Sequence, residues 1–181
     1  VAISASVGSS SLNGWLTGGR KEEAAARLEG AKECLEKEKI RIRHIYMVWF
    51  QGEADANLKT TKDEYKGMLR ELVSYMEGQG VEACFLIQLG PDLADPVKHQ
   101  EIMDAQLEIC EEADDIILAS GLPAALTDAD MRDEGGIHYT QEALNLIGED
   151  AGRNAGVYVK SLSQETAETE QEAQERQEEG E

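Results

Sequence analysis

The sequence predicts an α/β fold in which a parallel sheet is covered by helices on both faces. Three observations carry that expectation. Short apolar runs alternate strictly with longer segments of helical periodicity, in the order β-α-β-α-β-α-β-α. The runs are mostly continuous rather than alternating, as strands buried on both faces require. The connections between them are long enough for helical crossovers.

Each element follows from its own residues. Val1 to Val7 (VAISASV) is the expected first strand, ending at Gly8 and a serine-rich turn, GSSSLNGW. Residues 21 to 38 are built from strong helix formers, with Ala25, Leu28, Ala31 and Leu35 along one face. Ile45 to Phe50 (IYMVWF) reads as a buried strand that runs straight into Gln51-Gly52-Glu53 and Asp55. Lys62 to Glu77 sets Tyr65, Leu69, Leu72, Val73 and Met76 at helical spacing. Glu82 to Gln88 is the third strand, closed by Gly90-Pro91, and Pro96 to Ala113 the third helix. Asp115 to Ser120 is the fourth strand. After a loop, Gln141 to Val159 is the last helix, with Ala143, Leu146, Ile147, Ala151 and Ala155 on one side.

Composition divides the chain into a domain, residues 1–160, and an acidic Glu/Gln-rich tail, residues 161–181. The 181 residues suffice for one domain with a core. From Ser161 onward there are eight glutamates and one arginine, so the tail contributes −7 of the net −20 and the body the remaining −13. Such a tail is expected to be solvated, as a disordered or fraying helical extension. An acidic body argues against nucleic acid and anionic membrane as partners, because both are polyanions. No run approaches the roughly 20 apolar residues that span a bilayer.

Cys34, Cys84 and Cys110 form no CxxC pair, and Cys84 and Cys110 lie in apolar segments, which points to buried reduced thiols. With no signal peptide visible, a cytoplasmic location is favoured. The chain opens directly on an apolar run with no initiator Met, so its N-terminus is expected to be missing and secretion stays open. HExxH, P-loop and GxGxxG patterns are absent, and no metal or cofactor is expected.

In open α/β sheets ligands bind beyond the carboxyl ends of the strands. GSSS, QGEAD and DEGGIHYT would meet there. His138 stands at a loop–helix junction behind Asp128, Asp130 and Asp133, where a carboxylate-held imidazole would serve as the base of an acyl-transfer triad. His44 and His99 have no such company and read as surface residues. Gln51 either caps its strand or offers a neutral amide donor to an oxyanion. Gly8 would supply a backbone N–H to the same hole. Glu53 and Asp55 read as loop supports, bonding backbone N–H groups, ahead of a general acid/base pair.

On these residues the chain resembles the SGNH-type hydrolases, and within them the sialate O-acetylesterase and acetylxylan-esterase group of carbohydrate esterases. SVGSSSLNGW (6–15), WFQGEADA (49–56) and GIHYTQEALNLIGEDAG (136–152) carry the likeness, which covers residues 1 to about 160. It implies a flavodoxin-like three-layer α/β/α sandwich and a serine esterase hydrolysing acetyl esters on sugars such as sialic acid or xylan. The substrate would be a small-molecule or oligosaccharide acetyl ester. Gly8 and Gln51 match the oxyanion donors and His138 the catalytic base.

The chain departs from that pattern twice. The G-Q-S-N nucleophile block is absent, so this block and the sheet's central strand are expected to precede Val1. By itself the chain would then be inactive and poorly folded. Ser10 faintly fits a G-x-S-x-x-x-G block and is the alternative nucleophile, although Trp15 and the short gap to Gln51 favour the second-block assignment. The family's triad acid stands three residues before the His, where this chain has Gly135. Asp133, five before, is the nearest candidate. A non-catalytic carbohydrate-binding or interaction domain derived from the fold is the rival reading.

Overall fold

A computed structural model describes residues 1–128, 131–133 and 138–178, with side chains through residue 164. Its centre is a parallel sheet of three strands in the order β1 (Tyr46–Trp49), β2 (Ala83–Ile87) and β3 (Ile116–Ser120). Tyr46 pairs with Ala83, and Cys84 with Ile116. Helix α4 (Lys62–Glu77) connects β1 to β2, and α5 (Gln100–Glu112) connects β2 to β3. Two crossovers of the same hand, each stepping one strand in the same direction, must lie on the same face. The main core on that face joins Tyr65, Leu69, Leu72, Ile102, Ala105 and Ile109 to Trp49, Leu86 and Ile116.

The opposite face is covered by α7 (Gln141–Glu178), which lays Ala143, Ile147 and Ala151 against Phe85, Ile87 and Ala119. The result is the expected α/β/α layering. Local chemistry explains the helix starts. Thr61 and Glu64 form a reciprocal capping box at α4. Ser11 accepts from the Gly14 N–H at the start of α1 (Leu12–Thr17). Two further helices are α2 (Arg20–Lys37) and α3 (Glu53–Asn57), and α6 (Leu122–Ala125) is a single turn with proline near its start.

Several expectations need correction. Val1–Val7 forms no strand: it lies mostly exposed and pairs with nothing in the sheet, so three strands stand where four were expected. Alternation with serine supplies strand character, but a strand exists only where a partner's N–H and C=O groups meet it. The serine-rich turn becomes α1 from Leu12 onward, because Leu12 and Trp15 are both buried by helical spacing. β1 is an edge strand, and Val48 is 63% exposed, so IYMVWF is not buried along its length. β2, with a partner on each side, is buried throughout.

On α2, Ala25, Leu28, Ala31 and Leu35 are half-buried, and no α2 residue is fully buried. Leu146 points away from the core at 41% exposure, since the buried stripe of α7 repeats every four residues from Ala143. That helix continues past Val159, where it was expected to end, to Glu178. Cys84 is buried, Cys110 half-buried and Cys34 exposed, all as free thiols. Among the described residues no helix is long and apolar enough to cross a membrane.

Candidate active site

The polar segments gather at the carboxyl ends of β1 and β2, where Gln51 is the hub of the first contact. Its Nε2 donates to the Ser10 carbonyl at 2.8 Å and to Asp55 Oδ2 at 2.5 Å. Asp55 is fully buried and also accepts from the Leu12 N–H at 3.0 Å and the Thr60 hydroxyl at 3.3 Å. One carboxylate thus ties the start of α1, the end of β1 and the end of α3 together. Glu53 Oε2 accepts from the Gly52 N–H at 3.2 Å.

A second brace was not legible in the motifs. Gln106 on α5 is fully buried; its Oε1 accepts from the Leu89 N–H at 2.7 Å, and its Nε2 donates to the Gln51 carbonyl at 2.8 Å and to the Tyr65 oxygen at 2.9 Å. It holds the ends of β1 and β2 at a set spacing. The signal that could have found it is an amide inside the apolar stripe Ile102, Ala105, Ile109. Burial pushes the Tyr65 phenol up, so Tyr65 stays a neutral hydroxyl that donates to the Gln51 carbonyl at 3.0 Å. Gly52 has no room for a side chain: a Cβ there would meet Ile102, Leu89 and Gln106 at 2.9 to 3.3 Å. Gly52→Val is expected to lower the melting temperature and the esterase rate together, since the intrusion displaces Gln106 from both strand ends. A thermal melt alongside the assay checks this; wild-type stability in the variant would show that the site accommodates the branch.

The His segment docks on the same edge. Tyr139 sets its ring 5.9 Å from that of Phe50, so each aromatic neighbour of His138 and Gln51 contacts the other. An antiparallel bridge between Arg132 and Tyr139 closes the loop, reinforced by the Asp133 N–H donating to the His138 carbonyl at 2.8 Å. Next to that bridge the Asp133 carboxylate meets His138 twice, Oδ2 to Nδ1 at 2.9 Å and Oδ1 to the backbone N–H at 3.3 Å. The imidazole is 80% exposed, which leaves Nε2 open to a substrate. Asp130, Gly135 and Gly136 lie outside the described residues.

Ser10 is 5% exposed, and its hydroxyl donates to the Val7 carbonyl at 2.7 Å while accepting from Trp15 Nε1 at 2.8 Å. Gly8 lies exposed in the turn before it, and among the described residues its N–H makes no hydrogen bond. His44 is at the surface beside Glu82, as expected. His99 is not: it is 7% exposed, with Nδ1 2.9 Å from the Gly90 carbonyl. It precedes α5, and its hydrogen-bond acceptor comes from the loop after β2, which spacing along the chain does not reveal.

Beside the Arg132–Tyr139 bridge opens a small cleft of about 70 Å³. Glu53, Leu89 to Asp92, Lys98, His99, Arg132 and Tyr139 are among the residues that line it. Asp92 is held down to about 2 by the Lys98 ammonium and the Ala94 N–H, so it is a carboxylate locked to its own cation.

The family described as "Carbohydrate esterase, sialic acid-specific acetylesterase" matches residues 2–155. No curated protein and no solved structure matches the chain.

Proposed function

The chain belongs to the carbohydrate esterases of that family, and on this premise we propose that it hydrolyses acetyl esters on sugars such as sialic acid or xylan through an acyl-enzyme. The observation that carries this reading is the Asp133–His138 pair: a carboxylate on Nδ1 leaves Nε2 facing solvent as a proton acceptor. A serine hydroxyl attacks the acetyl carbonyl carbon while its proton passes to His138 Nε2. The tetrahedral oxyanion is met by the Gly8 N–H and the Gln51 amide. Collapse breaks the ester C–O bond, and the departing sugar oxygen takes the proton from Nε2. Water, deprotonated by the same nitrogen, then releases acetate and restores the hydroxyl.

Diisopropyl fluorophosphate tests the reading, because only an activated serine displaces its fluoride. In the full-length protein, stoichiometric phosphorylation with loss of p-nitrophenyl acetate hydrolysis is expected, and peptide mapping names the serine. A label on Ser10 would require its bonds to Val7 and Trp15 to open. Those two bonds are what favours the rival reading, a sugar-binding domain without chemistry. Absence of both label and hydrolysis together with retained sugar binding would favour that rival.

Both N–H groups of Gln51 are engaged in the resting arrangement, so its oxyanion role exchanges the Ser10 carbonyl for the substrate oxygen. Gln51→Ala is then expected to lower kcat by about a hundredfold with little change in KM, because the oxyanion exists only in the transition state. A change confined to KM would assign Gln51 to substrate binding.

A further inference from the structure

Arg132 is a charge that this structure leaves unanswered. It is 6% exposed, yet among the described residues no carboxylate lies within ion-pair distance of it, in a chain with 37 acidic residues against 17 basic ones. Its Nη2 donates to the Pro91 carbonyl at 3.3 Å. Its guanidinium carbon sits 3.5 Å from the centre of the Tyr139 ring, and its buried Nε has no hydrogen-bond partner. The neighbouring charges are otherwise occupied: Lys98 with Asp92, Asp133 with His138, and Glu53 with the Gly52 N–H. Burying a guanidinium without a counter-ion is costly, and such a group gains most from an anion that arrives with the ligand.

Its place in the fold says which part of a ligand that anion would be. Arg132 lines the cleft, and it is both the bridge partner of Tyr139 and the residue before Asp133. An anionic group bound there would be held a fixed short distance from an ester reacting at His138. Stacking on Tyr139 fixes the plane of the guanidinium, and a planar fork suits a carboxylate, which accepts two parallel N–H bonds.

We propose that Arg132 is the specificity-determining residue of the cleft, binding the carboxylate of an acetylated sugar acid and favouring it over neutral acetylated sugars. The inference rests on the esterase reading for its consequence in turnover, but not for binding itself.

The test therefore separates the two. Calorimetry on the wild-type protein compares N-acetylneuraminic acid with its methyl ester, which lacks the charge Arg132 would meet and carries one more methyl group. The acid is expected to bind at least about tenfold more tightly, the scale of one charge-assisted bidentate contact. In Arg132→Met that ratio is expected to fall to near one, and Arg132→Lys, which keeps the charge but loses the fork, to fall between. The same ratio in kcat/KM is then read on the 9-O-acetyl forms of the two ligands. Equal binding of acid and methyl ester by the wild type would overturn the proposal, even if the Arg132 variants fail to fold. Selective binding without hydrolysis would leave Arg132 in place and remove the esterase reading. Hydrolysis indifferent to the carboxylate would do the reverse.

Discussion

His138→Ala is expected to remove nearly all acetyl-ester hydrolysis, a loss of several orders of magnitude in kcat. An imidazole can both take the nucleophile's proton and return it to the leaving oxygen. Asp133 holds it by two contacts, one to the ring and one to the backbone, which fixes ring orientation and leaves the proton-accepting nitrogen outward. Asp133→Asn should lower kcat as well, while leaving KM near its wild-type value, because the amide supports the wrong tautomer without blocking the cleft. The substitution at His138 removes an exposed side chain, so the fold should be untouched, and circular dichroism before the p-nitrophenyl acetate assay establishes that. Retention of more than about a tenth of the wild-type rate would exclude His138 as the base.

Asp55→Ala is expected to cost about 3 kcal/mol of stability, a drop of roughly 10 °C in melting temperature for a chain of this size. Its carboxylate is fully buried and satisfies three donors from three elements: the Leu12 N–H, the Gln51 amide and the Thr60 hydroxyl. Alanine would leave all three donors facing a small void that offers no acceptor, and unpaired buried donors carry the full cost of their desolvation. Asp55→Asn keeps the shape but turns one acceptor into a donor against donors, so it too should destabilise. Differential scanning calorimetry reads both. A melting temperature within about 2 °C of wild type for the alanine variant would mean that water replaces the carboxylate and that Asp55 is not the clamp of the two loops.

Much of the candidate site was legible as short motifs because each motif is local. QGEAD follows a strand of apolar residues, and GIHYT precedes a helix; a strand end and a helix start are decided within a few residues. Asp133 was only the nearest carboxylate at an unusual spacing until the bridge between Arg132 and Tyr139 set it beside His138. The residues that sequence reading missed act across long separations. Gln106 reaches Gln51 over 55 positions, and Arg132 reaches Pro91 over 41. Neither separation leaves a periodic trace, since a single polar residue in an apolar stripe looks like an interruption until its partners are seen.

The sequence by itself determined the alternation of strands and helices, the helical face of Tyr65, Leu69, Leu72 and Met76, and the parallel sense of the sheet. Those properties follow from residue spacing of 3.6 or from continuous apolar runs, together with crossovers too long for hairpins. Only the tertiary structure decided that Val1–Val7 stays outside the sheet, that β1 is an edge, that Leu146 faces away from the core and that His99 is buried. Each of those depends on what lies beside a residue rather than next to it in the chain. A strand needs a neighbour's backbone groups, a face needs a layer to cover it, and a buried imidazole needs an acceptor, here the Gly90 carbonyl brought over from the end of β2.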